Sequence, residues 1–370
     1  MPFVSGTDVF VVGGGPAGLA AAIAARRRGF RVVLAAPVHP PIDKACGEGL
    51  MPDGVAALHE LGAGFGAADM VPFRGIRFLE SSASAEACFP SGCGAGVRRT
   101  TLHRVLVERA DEAGVYMLWG TPITGIGQEG VWAGGRMVPC RWIVGADGER
   151  SRVRSWAGLN SPAEPRRRFG FRRHYRVEPW TDLMELYWGD TFQVYVTPVP
   201  AGEVCVAVVS RDPRFRLANA LSRLPELAAR LSRAVPLNTE RGAVSASRTL
   251  SAVWRDRVAL AGDASGSVDA VTGQGLRLAF RQALALADAL YAGDLAQYEA
   301  EHRRLRRGAA LMAALMLSVG GRRRLRDKAM RVLEAYPQLF ARLLAAHAGA
   351  MSPVDFAAAS MSLGWRMLTI

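Results

Sequence analysis

With 370 residues, half of them hydrophobic, the chain is long enough for one large core or two interleaved domains, and its composition excludes a disordered or fibrous protein. Its formal net charge of +13 rests almost wholly on arginine, since Lys44 and Lys328 are the only lysines, a bias that reads partly as codon composition. The basic residues are scattered and form no aromatic-studded groove, which speaks against a nucleic-acid partner; an anionic cofactor, an acyl carrier or a membrane surface fits the positive field equally well. Five cysteines, Cys46, Cys88, Cys93, Cys140 and Cys205, show no paired metal-ligand spacing, and their odd number argues against a full disulfide framework. No metal is expected, and a reduced, cytoplasmic setting is. The N-terminus leads directly into an apolar strand, without the basic region, apolar core and small-residue cleavage site of a secretory signal.

The first element is the most informative. Asp8-Val9-Phe10-Val11-Val12 is an apolar strand that breaks into Gly13-Gly14-Gly15-Pro16-Ala17-Gly18 and then opens a helix over 19–28. Gly13 lets the chain turn, Gly15 lets the backbone approach a pyrophosphate, and Gly18 lets the helix lie close to the strand with its amide dipoles toward phosphate charge. Pro16 fits a first helical turn, where no amide donor is missed. Gly29 and a second apolar strand, 31–35, complete a βαβ unit, and in that context the glycine pattern points to a dinucleotide.

Further along, a strand at 75–80 leads to a Gly/Ser/Cys-rich segment near 91–96, a helix at 101–113 and a strand at 115–119. Another strand, 142–146, runs into Asp147-Gly148. Between 169 and 209 the pattern changes to alternating strands, 169–177, 183–188, 191–197 and 203–209, with turn signals at Gly189-Asp190 and Pro200-Ala201-Gly202, as an antiparallel sheet requires. His174, Tyr175, Tyr187, Trp188 and Tyr195 fall on this sheet, where alternate side chains face opposite ways. Helical spacing returns at 214–234, the strand 257–261 delivers Gly262-Asp263, and from Gly275 onward the chain reads as helix. The apolar stretch 308–321 lies between Arg303, Arg304, Arg306 and Arg307 and Arg322, Arg323 and Arg324, which would suit a lipid surface, but it is shorter than the roughly 18 residues of a membrane span and reads first as a buried helix.

Three motifs stand in the order and spacing of the group A flavoprotein monooxygenases, which resemble p-hydroxybenzoate hydroxylase: 13–18, Val144-Gly145-Ala146-Asp147-Gly148, and Leu260-Ala261-Gly262-Asp263-Ala264. The resemblance covers roughly residues 8–300 and implies FAD as the bound cofactor and NAD(P)H as electron donor. It implies that Asp147 and Gly148 lie near the pyrophosphate and serve NAD(P)H use, and that Asp263 after Gly262 holds the ribityl chain. Gly273-Gln274-Gly275 would start a helix whose amide end faces the flavin pyrimidine. Arg99 looks like the family's arginine near the flavin, with a surface ion pair as an equal alternative. The segment Asp43-Lys44-Ala45-Cys46-Gly47-Glu48-Gly49 is similar to the geranylgeranyl-reductase-like branch of the same superfamily, which implies that Lys44, Cys46, Gly47, Glu48 and Gly49 line the flavin. Lys44 is the only nearby cation for a Cys46 thiolate, so packing or proton relay ranks ahead of covalent chemistry for Cys46.

Some positions depart from the pattern. The acidic residue that ends the second strand and binds the adenosine ribose is replaced by Ala35 or Ala36, which removes a charge-assisted interaction of about 1.5–3 kcal/mol unless His39 or Asp43 stands in. Ala270 and Arg277 replace a proline and an asparagine frequent in the hydroxylases, and both changes point toward the reductase-like branch. That branch's aromatic signature is only partly echoed by Tyr195-Val196-Thr197-Pro198-Val199-Pro200, and the halogenase tryptophan signature and lysine are not evident.

The fold class that follows is α/β (α+β): a Rossmann-like βαβ FAD-binding domain from 1–72, 97–165 and 245–300, an interleaved antiparallel-sheet substrate domain from 73–96 and 166–244, and a C-terminal helical region, 301–370. The expected function is FAD-dependent monooxygenation of a lipophilic or aromatic small molecule, with O2 activated on reduced FAD. The alternatives are a prenyl or polyene double-bond reductase and a non-catalytic flavin-binding protein. Cys46, His174 and Tyr195 are the candidates for a catalytic role, and none is assigned as general base. Localisation is expected to be cytoplasmic or peripheral to a membrane.

Overall fold

The computed structural model describes residues 6–80, 83–161 and 163–369. Thr7–Val12 and Val32–Ala36 are central strands of a largely parallel sheet, flanked on one side by Arg136–Gly145 and Val258–Leu260 and on the other by Tyr116–Trp119. Strands covered on both faces read as unbroken apolar runs, which is why these two carry no alternation. The helix Pro16–Arg27 starts earlier than the apolar run 19–28 suggested because Pro16 occupies its first turn. Its interior is alanine-rich and buried over Leu19–Ala25, since the helices Arg99–Glu112 and Gly275–Ala292 both pack on it and only small side chains leave room for two neighbours.

A second sheet runs in the order Val235–Pro236, Arg166–Arg176, Glu203–Ser210, Phe192–Val199, Leu183–Trp188, Gly75–Glu80 and Ala83–Cys88, with Arg241–Ser247 also paired to Arg166–Arg176. Every pairing in it is antiparallel except that of Leu183–Trp188 with Gly75–Glu80, so the sheet is mixed at one joint. The helical stretch expected at 214–234 is two short helices, Leu217–Leu221 and Pro225–Leu231, broken where Pro225 begins the second.

Period-two alternation decides which side chains meet which layer. Tyr187, Val194, Val196, Val204, Val206 and Val208 face the two short helices, and Tyr175 joins them. Met184, Leu186, Trp188, Tyr195 and Ala207 face the opposite way, toward the C-terminal helices Leu295–Gly320, Arg323–Ala335, Pro337–His347 and Pro353–Thr369. The stretch 308–321 belongs to Leu295–Gly320 and buries Ala309, Met312, Ala313, Met316 and Val319, so the buried-helix reading applies. Arg326 reaches from the C-terminal layer to Glu80 and Asp190, tying it to the sheet. Among the described residues, no helix is long and apolar enough to cross a membrane.

Candidate active site

The glycine turn is held by geometry that only glycine meets. Gly13 has φ +120°, and a Cβ there would strike the Ala146 carbonyl, while one on Gly18 would strike the Gly13 carbonyl. Helix and strand therefore touch at the motif, as expected. Sequence reasoning missed the group that braces this turn: buried His103, from the helix Arg99–Glu112, lies with Nε2 2.8 Å from the Gly14 carbonyl oxygen. The carbonyl can only accept, so Nε2 carries the proton, and burial, first, and the nearby Arg99 charge lower the pKa of the ring, with the Gly14 bond opposing.

The other motifs converge on the same end of the parallel sheet. Gly262 sits against the Ala17 side chain, and Arg154 Nη1 donates to the Ala264 carbonyl at 3.1 Å. Asp263 pairs with Lys44 at 3.4 Å and is half-exposed. Asp147 accepts from the amides of Arg152 and Val153 at 2.7 and 3.2 Å through Oδ2, at the start of the helix Arg152–Trp156 that Ser151 caps, while Oδ1 is buried without a partner. Gln274 is turned away from the helix mouth, donating to Nδ1 and the carbonyl of His347. Ala35 and Ala36 are fully buried, and the Trp119 ring lies against Gly14 and beside Ala36. Asp43, expected as a stand-in for the missing ribose ligand, is engaged by Arg172 and Arg241 at 2.7 and 2.9 Å, one on each oxygen.

The loop carrying Cys46 and Glu48 lies on one face of the second sheet. Strand register places His174, Cys205 and Thr197 in one row across three strands, and Arg172, Ala207 and Tyr195 in the next. Thr197 Oγ1 donates to the Gly47 carbonyl at 2.7 Å, the Cys205 thiol points to the Cys46 carbonyl at 3.6 Å, and Cys46 Sγ accepts from the Glu48 amide at 3.4 Å. Glu48, at φ +59°, is fully buried. One of its oxygens accepts from the Arg99 amide at 2.9 Å and from Arg172 at 3.1 Å, and the other meets His174 Nε2 at 2.6 Å. His174 Nδ1 lies 2.7 Å from the Asn238 side-chain nitrogen. Burial pushes the Glu48 carboxyl up, but the His174 hydrogen bond and charge, the Arg172 charge and the Arg99 amide together hold it below the usual range, so it is an anion among donors. Glu48, His174 and Cys205 lie close enough to hold a metal ion, yet one Glu48 oxygen already accepts from Arg172 and the Arg99 amide and the other is taken by His174.

Arg99 is buried, with Nε lacking a partner, which disagrees with the surface ion pair left open from sequence; burial lowers its pKa, opposed by Cys46, Asp263, Asp43 and Glu48 around it. Tyr195 is likewise buried, its hydroxyl donating to the Val271 carbonyl at 2.7 Å, and burial raises its pKa well above the phenol range. Beyond Tyr195 the same sheet face is largely apolar, although Gln193 and Glu80 also lie on it. Phe78, Leu186 and Trp188, with Met316, Leu343 and Leu363 from the helices, line a cavity that also touches Val271 and Thr272, just before Gly273-Gln274-Gly275.

The chain around this junction fits a dinucleotide. Gly15, Gly47, Gly148, Gly273 and Gly275, from four separate segments, have nothing within 4 Å of where a Cβ would stand. The helices Pro16–Arg27 and Gly275–Ala292 begin without a side-chain cap, leaving amides free for phosphate or flavin oxygens. Arg99 Nε and Asp147 Oδ1 are buried polar atoms still lacking partners.

A family model described as an FAD binding domain matches residues 6–307. The chain belongs to this FAD binding domain family. It is an FAD-dependent oxidoreductase, and NAD(P)H is the electron donor typical of such enzymes. It is 30% identical over 317 residues to a menaquinone reductase of Mycobacterium tuberculosis, covering 78% of each chain. It is 28% identical to a digeranylgeranylglycerophospholipid reductase of Thermoplasma acidophilum, over 73% of this chain and 74% of the other. A flavoprotein/dehydrogenase from Cytophaga hutchinsonii shares its fold at a TM-score of 0.83 and 19% identity, over 98% and 99% of the two chains. PqsL of Pseudomonas aeruginosa, described as a probable FAD-dependent monooxygenase, does so at 0.72 and 22%, over 87% and 98%. By their names, the relatives are reductases and the structural neighbours a dehydrogenase and a probable monooxygenase.

Proposed function

We propose that this FAD-dependent oxidoreductase monooxygenates a lipophilic substrate, a ring bearing an alkyl or prenyl chain, with the end of that chain in the cavity of about 70 Å³ between the second sheet and the C-terminal helices. The observation that carries the proposal is the cavity itself: its walls are apolar apart from Thr272 and His347, and Val271 and Thr272 place it next to the loop that opens the helix Gly275–Ala292. Substrate, O2, NAD(P)H and a proton give the hydroxylated product, water and NAD(P)+. FAD supplies the electron transfer and oxygen activation when bound. The residues of the chain do the remaining work. The amide ends of Pro16–Arg27 and Gly275–Ala292 receive anionic charge, Asp263 is offered to the ribityl hydroxyls, and Arg99 adds positive charge. Glu48, pinned by Arg172 and His174, fixes the Cys46 loop against the sheet. The apolar walls keep water from the reacting centre.

A second reading, reduction of a prenyl or polyene double bond, is favoured by the Cys46-Gly47-Glu48-Gly49 loop and by the names of the two reductase relatives. Turnover under strict exclusion of O2 separates them. The monooxygenase reading expects NAD(P)H oxidation coupled to product to stop without O2 and to resume with oxygen incorporated into product; a saturated product formed anaerobically would establish the reductase instead.

A further inference from the structure

The last helix, Pro353–Thr369, has two unlike faces. Ala359 and Leu363 turn inward, and Leu363 forms part of the cavity wall. On the outer face Val354, Met361, Trp365 and Leu368 stand 78, 70, 69 and 78 % exposed. Their spacing of seven, four and three residues puts them on one stripe along the helix, about 21 Å long. Ala357, Ala358 and Gly364 lie on the same exposed face, which is mainly apolar, with Thr369 at its end and Asp355 beside its first turn. The surroundings are basic: residues 321–370 hold eight Arg and Lys against three Asp and Glu. Arg323, Arg324 and Arg331 are exposed on the neighbouring helix Arg323–Ala335, and Arg366 stacks over the half-exposed Tyr336 ring at 3.8 Å.

We infer that this stripe is a docking surface for an anionic lipid bilayer. Charge decides between the two candidate occupants. A second copy would bring the same arginines and the same net charge of +13 against the stripe, whereas phosphate headgroups attract them while the apolar face enters the acyl boundary with Trp365 at the interface. The docked helix alone, about 10 Å thick, would separate the bilayer from the cavity, since Leu363 on its inner face lines that cavity. The inference goes beyond the proposed reaction and needs no turnover to be tested.

The experiment is co-sedimentation of the FAD-loaded full chain with phosphatidylcholine vesicles and with vesicles containing phosphatidylglycerol. Binding is expected only to the anionic vesicles and is expected to weaken as salt rises. The variant carrying M361S, W365S and L368S is expected to lose about tenfold or more of the partition coefficient, with its flavin absorbance unchanged. If that variant fails to retain FAD, the single variant W365S and the salt dependence of the wild type carry the test. Failure of the wild type to bind anionic vesicles would overturn the inference, as would variant binding equal to wild type in flavin-loaded protein. So would a wild-type dimer in light scattering that the same substitutions convert to monomer.

Discussion

Glu48 is the residue on which the site turns, because it joins the flavin-side loop to the second sheet through Arg172 and His174 while its backbone sits at positive φ. Removing one member of a buried charge pair is costly because the other is left in a low dielectric. Glu48→Gln is therefore expected to cost about 3 kcal/mol in urea unfolding, at the low end for such pairs since Arg172 keeps Asp43. His174→Gln should cost less, about 1–2 kcal/mol, because the Glu48–Arg172 pair survives it. Equal stability of Glu48→Gln and wild type would show that the pair contributes nothing. At this scale the sequence was legible in part. Glu48, Cys46 and His174 stood out by motif and residue type, but Arg172, Thr197, Cys205 and Asn238 did not. Their roles depend on strand register, which places His174, Cys205 and Thr197 side by side from positions 23 and 8 residues apart along the chain, and local pattern carries no such information.

Among the elements, two of the C-terminal helices each bury a histidine. His302, on Leu295–Gly320, lies 2.9 Å from the Ser265 hydroxyl, and burial, followed by the charges of Arg306 and Arg303, lowers its pKa to about 3. His347, at the end of Pro337–His347, is lowered to about 4 by burial and by Arg277. Both folded values lie below the unfolded value of about 6.5, so the stability they contribute is present above pH 6.5 and is lost as pH falls toward 4, where each accounts for about 3 kcal/mol. The melting temperature is expected to fall steeply between these limits. Substituting His302 or His347 by Gln should flatten the fall, and an unchanged pH profile in both variants would contradict the burial of neutral imidazoles. Element identity was largely readable from sequence, because the glycine turn, the βαβ unit and the turns of the second sheet are local signals. The interruption at Pro225, the parallel joint between Leu183–Trp188 and Gly75–Glu80, and the outward stripe of Pro353–Thr369 were not, since each depends on what packs alongside.

At the scale of the whole molecule, two layers meet at the cofactor region: a parallel sheet whose ends present glycines and uncapped helices, and a second sheet whose apolar face is roofed by C-terminal helices. The first was legible from three motifs. The cavity was not, because its walls combine the strands around 76–78, 184–188 and 195 with helices more than a hundred residues later. The claim that this cavity takes the chain of a lipophilic substrate is tested most directly by titrating the FAD-loaded protein with a homologous series of alkyl-substituted phenols and following the flavin spectrum. Each added methylene buried in an apolar site contributes about 0.8 kcal/mol, so Kd is expected to fall about fourfold per carbon until the cavity is filled, with Met316→Trp ending the trend at a shorter chain. A Kd independent of chain length, in protein that retains its flavin, would contradict it.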